Sequence, residues 1–171
     1  MESLRDHPAL GMPEEGDASY RENALAKARA VNTALGVPAL GDDSGLEVDA
    51  LDGAPGIRSA RYAGAGAADR PNNERLLEAL RGIPPERRTA RFRCLLALVR
   101  APGDEVVVEG VCEGRIVMAP RGEDGFGYDP LFEPAGSSQT FAEMPGPTKD
   151  ALSHRSRAAT ALRAAVASIS R

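Results

Sequence analysis

The chain has 171 residues, 42% of them apolar, and a net charge of −4. That composition excludes a disordered chain and leaves no electrostatic footprint for nucleic acid. No apolar run approaches the roughly 18 residues of a membrane span, and the first residues hold no signal-peptide core.

Ser19-Tyr20-Arg21-Glu22 reads as a capping box, a hydroxyl followed three residues on by a carboxylate. A helix is predicted from there to about residue 35, ended by Gly36 and Pro38. Tyr20, Ala24, Ala28, Val31 and Leu35 form its apolar stripe. A short strand over 38–41 then delivers Asp42-Asp43-Ser44-Gly45, read as a turn, and 46–51 follows as a second extended segment. Glycines punctuate 52–68 as loop, and 70–80 reads as a helix with Leu76, Leu77 and Leu80 inward. Residues 88–100 are the strongest strand: the first half alternates and the second is apolar on both sides, as in a central strand. A turn at 101–104 sends 105–117 back antiparallel, with Gly110 and Gly114 hinting at bulges. Residues 122–130 are a glycine-rich loop with aromatics. Residues 150–169 read as one last helix with the stripe Leu152, Ala159, Leu162, Val166 and Ile169. Arg155 falls on that stripe, where a cation is costly unless paired. A single mixed α/β domain fits this order of elements.

Neighbouring acids repel, and Asp42 and Asp43 are arranged to share a cation or to activate water. A polar turn without further role is the alternative, because Asp, Ser and Gly are favoured turn residues. Glu14-Glu15-Gly16-Asp17 is a second acidic group, able to add a metal ligand or simply to reinforce a helix N-terminus. In Gly125-Phe126-Gly127-Tyr128-Asp129-Pro130 the glycines let backbone approach a planar ligand while Phe126 stacks on it, and Asp129 can accept from a base edge. A turn with two packed aromatics is the competing reading. Lys149, His154 and Arg155 gather near a helix start, which suits an anion. Only Lys27 and Lys149 are lysines, which makes each worth attention. Cys94 and Cys112 lack CxxC spacing and read as buried thiols of a reducing cytoplasm.

Taken together, Glu22-Asn23-Ala24 with Lys27-Ala28-Arg29, Asp42-Asp43-Ser44-Gly45-Leu46, Gly53-Ala54-Pro55-Gly56, Ser59-Ala60-Arg61-Tyr62, Asn72-Asn73, the 125–130 loop, Lys149 and Ser153-His154-Arg155 resemble the inosine triphosphate pyrophosphatase family. The resemblance implies an elongated mixed α/β fold with two lobes around a central cleft. It implies Mg2+-dependent hydrolysis of ITP, dITP and XTP to the monophosphate and pyrophosphate, by a cytoplasmic homodimer that cleanses the nucleotide pool. By the same resemblance Asp43 is general base and metal ligand, Glu15 is the second metal carboxylate, and Asp42 supports them. Ser44, Phe126, Gly127, Tyr128, Asp129, Lys149, His154 and Arg155 match substrate-binding positions.

Family members open with a strand and a Ser/Thr-Gly-Asn-x-x-Lys phosphate loop, and residues 1–13 contain neither. The expectation is therefore a domain truncated at its N-terminus relative to the family. A late-assigned gene start, a fragment, or a degenerate nucleotide-binding member without catalysis would each give this. The intact downstream motifs favour the first.

Overall fold

The computed structural model describes residues 2–3, 6–7, 9–11 and 13–169. Helix α1 runs over Tyr20–Leu35, as the sequence predicts. Ser19 caps it by accepting from the Glu22 amide at 3.1 Å, and Gly36 closes it in the left-handed conformation at φ 67°. The buried face is rotated from the expected stripe. Asn23, Leu25 and Asn32 join Tyr20, Ala24 and Ala28 inside, while Val31 and Leu35 are only half-buried.

Strands β1 (Ala39–Val48), β2 (Thr89–Ala101), β3 (Asp104–Ile116) and β4 (Phe132–Pro134) form one antiparallel sheet in the order β1-β2-β3-β4. The double-sided apolar half of β2 is explained by its place between β1 and β3. The turn expected at Asp42-Asp43-Ser44-Gly45 does not exist. These residues lie inside the ten-residue β1, with Asp42 opposite Leu96 and Asp43 opposite Leu95. The extended segment expected over 46–51 stops at Val48, and Asp49–Leu51 curls into a 3-10 turn.

Two glycines set how closely helices approach the sheet. A Cβ on Gly41 would stand 2.1 Å from the Ala24 carbonyl oxygen, so α1 lies directly on β1 through Ala24 and Ala28. On the opposite face, a Cβ on Gly110 would stand 2.1 Å from the His154 carbonyl oxygen and 2.3 Å from the Ala158 nitrogen. Gly110 and Gly114 thus mark close approach, not the expected bulges; the β2–β3 register shifts instead between Val99 and Ala101.

Helix α2 (Asp69–Ala79) seals the aromatic core with Leu76 and, just beyond its end, Leu80. Both leucines are fully buried, each stabilising the fold by about 2 kcal/mol on burial arithmetic. They pack in one cluster with Leu46, Phe92, Phe132 and Phe141. The single last helix of the sequence reading is two. Helix α3 (Gly146–Leu152) and α4 (His154–Ile169) break at Ser153, which is extended at ψ 152°. The Ser153 hydroxyl accepts from the Ser156 amide at 3.2 Å and so acts as the N-cap of α4. The inner face of α4 is His154 and Ala158, with Leu162 partly covered; Ala159 and Ile169 are exposed. No helix among the described residues is long and apolar enough to cross a membrane.

Candidate active site

Successive side chains of a strand leave on opposite faces. Asp43 therefore points toward α1, and Asp42 and Ser44 toward α4. On the α1 side, Lys27 Nζ donates to Asp43 Oδ1 at 2.8 Å and to the Asp42 carbonyl at 2.9 Å. Glu15 Oε1 lies 2.5 Å from the same ammonium. Asn23 Nδ2 donates to Asp43 Oδ2 at 3.1 Å and also bonds the Gly16 carbonyl, tying the 14–17 segment to the site. Burial pushes the Asp43 carboxyl above its ordinary value, a rise that Lys27 and Asn23 only partly offset. Burial also opposes the charge on Lys27, but its hydrogen bonds to Asp43 and Glu15 outweigh it and keep the lysine protonated.

On the α4 side, Arg155 Nε donates to Asp42 Oδ2 at 3.1 Å, and Ser44 Oγ donates to Asp42 Oδ1 at 2.8 Å. Contrary to the expected stripe, Arg155 is not on the buried face of α4: its side chain is half-exposed at the cavity and paired with Asp42. A cavity of ≈ 270 Å³ opens beside them. Ser44 and Gly45 form one wall, Ser59 and Asn72 another, and the 126–129 loop and the α3–α4 junction close it. Phe126 is 59% exposed, with Lys149 Nζ 4.6 Å and Arg155 Cζ 5.4 Å from its ring centre. Lys149 Nζ also binds the buried Asp129 carboxylate at 2.5 Å.

His154 is buried and stacked on Phe92, 4.8 Å between ring centres. Burial, helped by the charge of Arg155, lowers its pKa to about 3, so the ring is neutral near pH 7. Its Nε2 faces Arg155 Nη1 at 3.2 Å. A guanidinium only donates, so Nε2 accepts and the ring proton is on Nδ1. That Nδ1 is buried without a hydrogen-bond partner among the described residues.

Asp43, Glu15 and Lys27 meet on one face of β1; Ser44, Phe126, Gly127, Tyr128, Asp129, Lys149, His154 and Arg155 line the cavity on the other. Two sequence expectations need correction. The side chains of Asp42 and Asp43 do not converge, because strand alternation sends them to opposite faces of β1. Lys149 belongs to α3, not to the start of the long helix. Tyr128, in the cavity wall, is buried and donates its hydroxyl to the Ser59 carbonyl at 2.9 Å, bracing the loop. Sequence reading left Lys27 and Asn23 without a site role. Their signals were the scarcity of lysine and two polar residues one helical turn apart beside a capped, acid-flanked helix start. Ser59 and Asn72 fall in motifs that carry the family resemblance but were given no site role, and Phe92 carried no signal.

Among the described residues no three His, Cys, Asp or Glu side chains converge for a metal. The chemistry of Glu15 and Asp43 nonetheless fits a hard cation: two carboxylates already share one ammonium, and Mg2+ is commonly held by one or two carboxylates plus phosphate and water.

A mixed α/β fold with a cation-bound buried carboxylate on one side of a strand and an aromatic, basic cavity on the other defines a site for a small, planar, anionic ligand. Residues 1–165 match the Ham1 family, and the chain belongs to it. It is 53% identical over 155 residues to a dITP/XTP pyrophosphatase of Syntrophobacter fumaroxidans, an alignment covering 91% of this chain and 66% of that protein. It is 48% identical over 161 residues to the dITP/XTP pyrophosphatase of Geobacter sulfurreducens, covering 94% of this chain and 81% of the relative. Among solved structures, a HAM1 protein from Coxiella burnetii superposes with TM-score 0.88 at 38% identity, covering 96% of this chain and 84% of that one. A nucleoside-triphosphatase, dITP/XTP pyrophosphatase, from Mycobacterium abscessus gives TM-score 0.79 at 48% identity, covering 94% and 85%.

Proposed function

We propose that this chain hydrolyses deaminated purine nucleoside triphosphates (ITP, dITP and XTP) to the monophosphate and pyrophosphate. The observation that carries the reading is the placement of two groups on either face of β1: Lys27, Asp43 and Glu15 on one, the Phe126–Arg155 cavity on the other. The names of the similar proteins, dITP/XTP pyrophosphatases, support the same substrates.

In this reading the purine enters the cavity against Phe126. The Arg155 guanidinium, beside the Phe126 ring, is the donor there. A 6-oxo group accepts a hydrogen bond where a 6-amino group donates, so a 6-oxopurine satisfies the guanidinium and adenine strands it. Lys149 faces the same space and contributes positive charge toward an anion. Asp43 takes the proton of the attacking water: burial raises its basicity, while Lys27 and Asn23 fix its orientation. Glu15 and Asp43 would hold Mg2+, which when bound supplies charge neutralisation for the triphosphate. Family membership supports a cytoplasmic homodimer as the working form.

The test is product analysis. The chain incubated with Mg2+ and dITP or XTP is expected to release pyrophosphate, with little from dATP. Orthophosphate as the sole product, or equal rates with dATP, would overturn the assignment.

A further inference from the structure

The loop bearing Phe126 has empty space on both sides. The 270 Å³ cavity, ≈ by volume, lies on one side. A second cavity of ≈ 430 Å³ lies on the other, walled by Asn73, Leu77, Pro120 and Asp124, and both are lined by Asp69, Phe126 and Gly127. Tyr128 is buried in the core, but Phe126 and Gly127, with voids on either side, gain little from packing, so hydrogen bonds fix their place. Within the loop, Asp129 Oδ2 accepts from the Phe126 amide at 2.8 Å. Lys149 and the Ser59 carbonyl hold Asp129 and Tyr128, and the bonds that reach Gly127 itself from outside the loop come from α2. Asp69 Oδ2 accepts from the Gly127 amide at 2.6 Å, and Asn73 Nδ2 donates to the Gly127 carbonyl at 2.8 Å. Asn73 Nδ2 also donates to the Asp69 carbonyl at 3.0 Å, which locks the two holders to each other one turn apart. Gly127 sits at φ 61°, a conformation that exposes both its amide and its carbonyl to α2.

We infer that Asp69 and Asn73 are positioning residues of the base site, gripping both polar groups of Gly127 so that Phe126 stands at the cavity mouth and does not fall back into the second cavity. The inference rests on the reading of Phe126 as the surface on which the purine stacks. Asn73 is buried and Asp69 touches the loop backbone, so neither acts on the reacting phosphates. Their loss is therefore a loss of preorganisation: the loop must be ordered each time substrate binds, which weakens binding without altering the chemical step.

The test uses the full chain with Asp69→Ala, Asn73→Leu and Asp69→Asn. The asparagine keeps an oxygen that accepts from the Gly127 amide. Hydrogen exchange over residues 122–130 and steady-state kinetics with dITP are read together. Asp69→Ala and Asn73→Leu are expected to exchange the loop amides faster and to raise KM by about tenfold with kcat nearly unchanged. Asp69→Asn is expected to stay close to the parent in both. Unchanged loop exchange in both disrupting variants would overturn the clamp, as would a fall in kcat at constant KM. Faster loop exchange in a protein whose parent does not turn over dITP would uphold the clamp and count against the substrate reading instead.

Discussion

Asp42 and Asp43 are neighbours in sequence and opposites in space. Asp43 Oδ1 lies 2.8 Å from Lys27 of α1, and Asp42 Oδ2 lies 3.1 Å from Arg155 of α4. One dipeptide thus connects a buried acid–base group to the basic residue at the ligand cavity, through the strand between them.

The separation predicts different consequences for the two acids. Asp42→Asn removes the charge that holds Arg155, so base selection suffers. The ratio of kcat/KM for dITP over dATP should fall on the order of tenfold. The Mg2+ concentration for half-maximal rate should not move. A raised Mg2+ requirement with intact selectivity would show Asp42 acting with the cation after all.

Close packing at Gly110 predicts a structural and functional loss from a single methyl group. Gly110→Ala would drive Cβ into the His154 carbonyl and the Ala158 backbone. Destabilisation of about 1–3 kcal/mol is expected, together with weaker dITP binding, because the shifted residue is the first of α4. Gly146→Ala meets nothing within 4 Å and serves as the control. Thermal unfolding of the two variants decides: equal melting temperatures would contradict the packing described.

The sequence made α1 legible because its ends are written locally, by Ser19 and Gly36, and made β2 and β3 legible because alternation and a turn at Pro102-Gly103 need no distant partner. The acid pair was misread for the opposite reason. Asp and Gly have low strand preference, and the two acids sit in a strand because Lys27 and Asn23 from α1 and Arg155 from α4 meet them there. The break at Ser153 has no glycine or proline to mark it; a serine that caps the next turn is a quiet signal. The glycines of β3 looked like bulges because a strand pattern does not reveal that a helix backbone lies against it. Within the site, Phe126 and Asp129 stood out through local composition, whereas Lys27 and Asn23 acquire their roles only when Asp43 is brought to them.

The neutral, buried His154 predicts an acid-dependent loss of stability. Its pKa is about 3 in the folded chain against 6.5 for an unperturbed histidine. As pH falls below 6.5 the unfolded chain takes up this proton first, so the contribution is complete above 6.5 and is lost between there and 3. The slope should approach about 1.4 kcal/mol per pH unit in that window. Urea unfolding between pH 7 and pH 4 measures it, and His154→Phe should flatten this component. An equal pH slope in both proteins would contradict it.

The most direct test of the assembled site is Asp43→Asn, assayed for dITP binding by calorimetry and for pyrophosphate in a single turnover. The base cavity lies on the other face of β1, so dITP binding measured without Mg2+ should stay within a few-fold of the parent, while turnover with Mg2+ falls about 10²–10⁴-fold. Undiminished pyrophosphate formation in Asp43→Asn would contradict the placement of the general base on the Lys27 face of the strand.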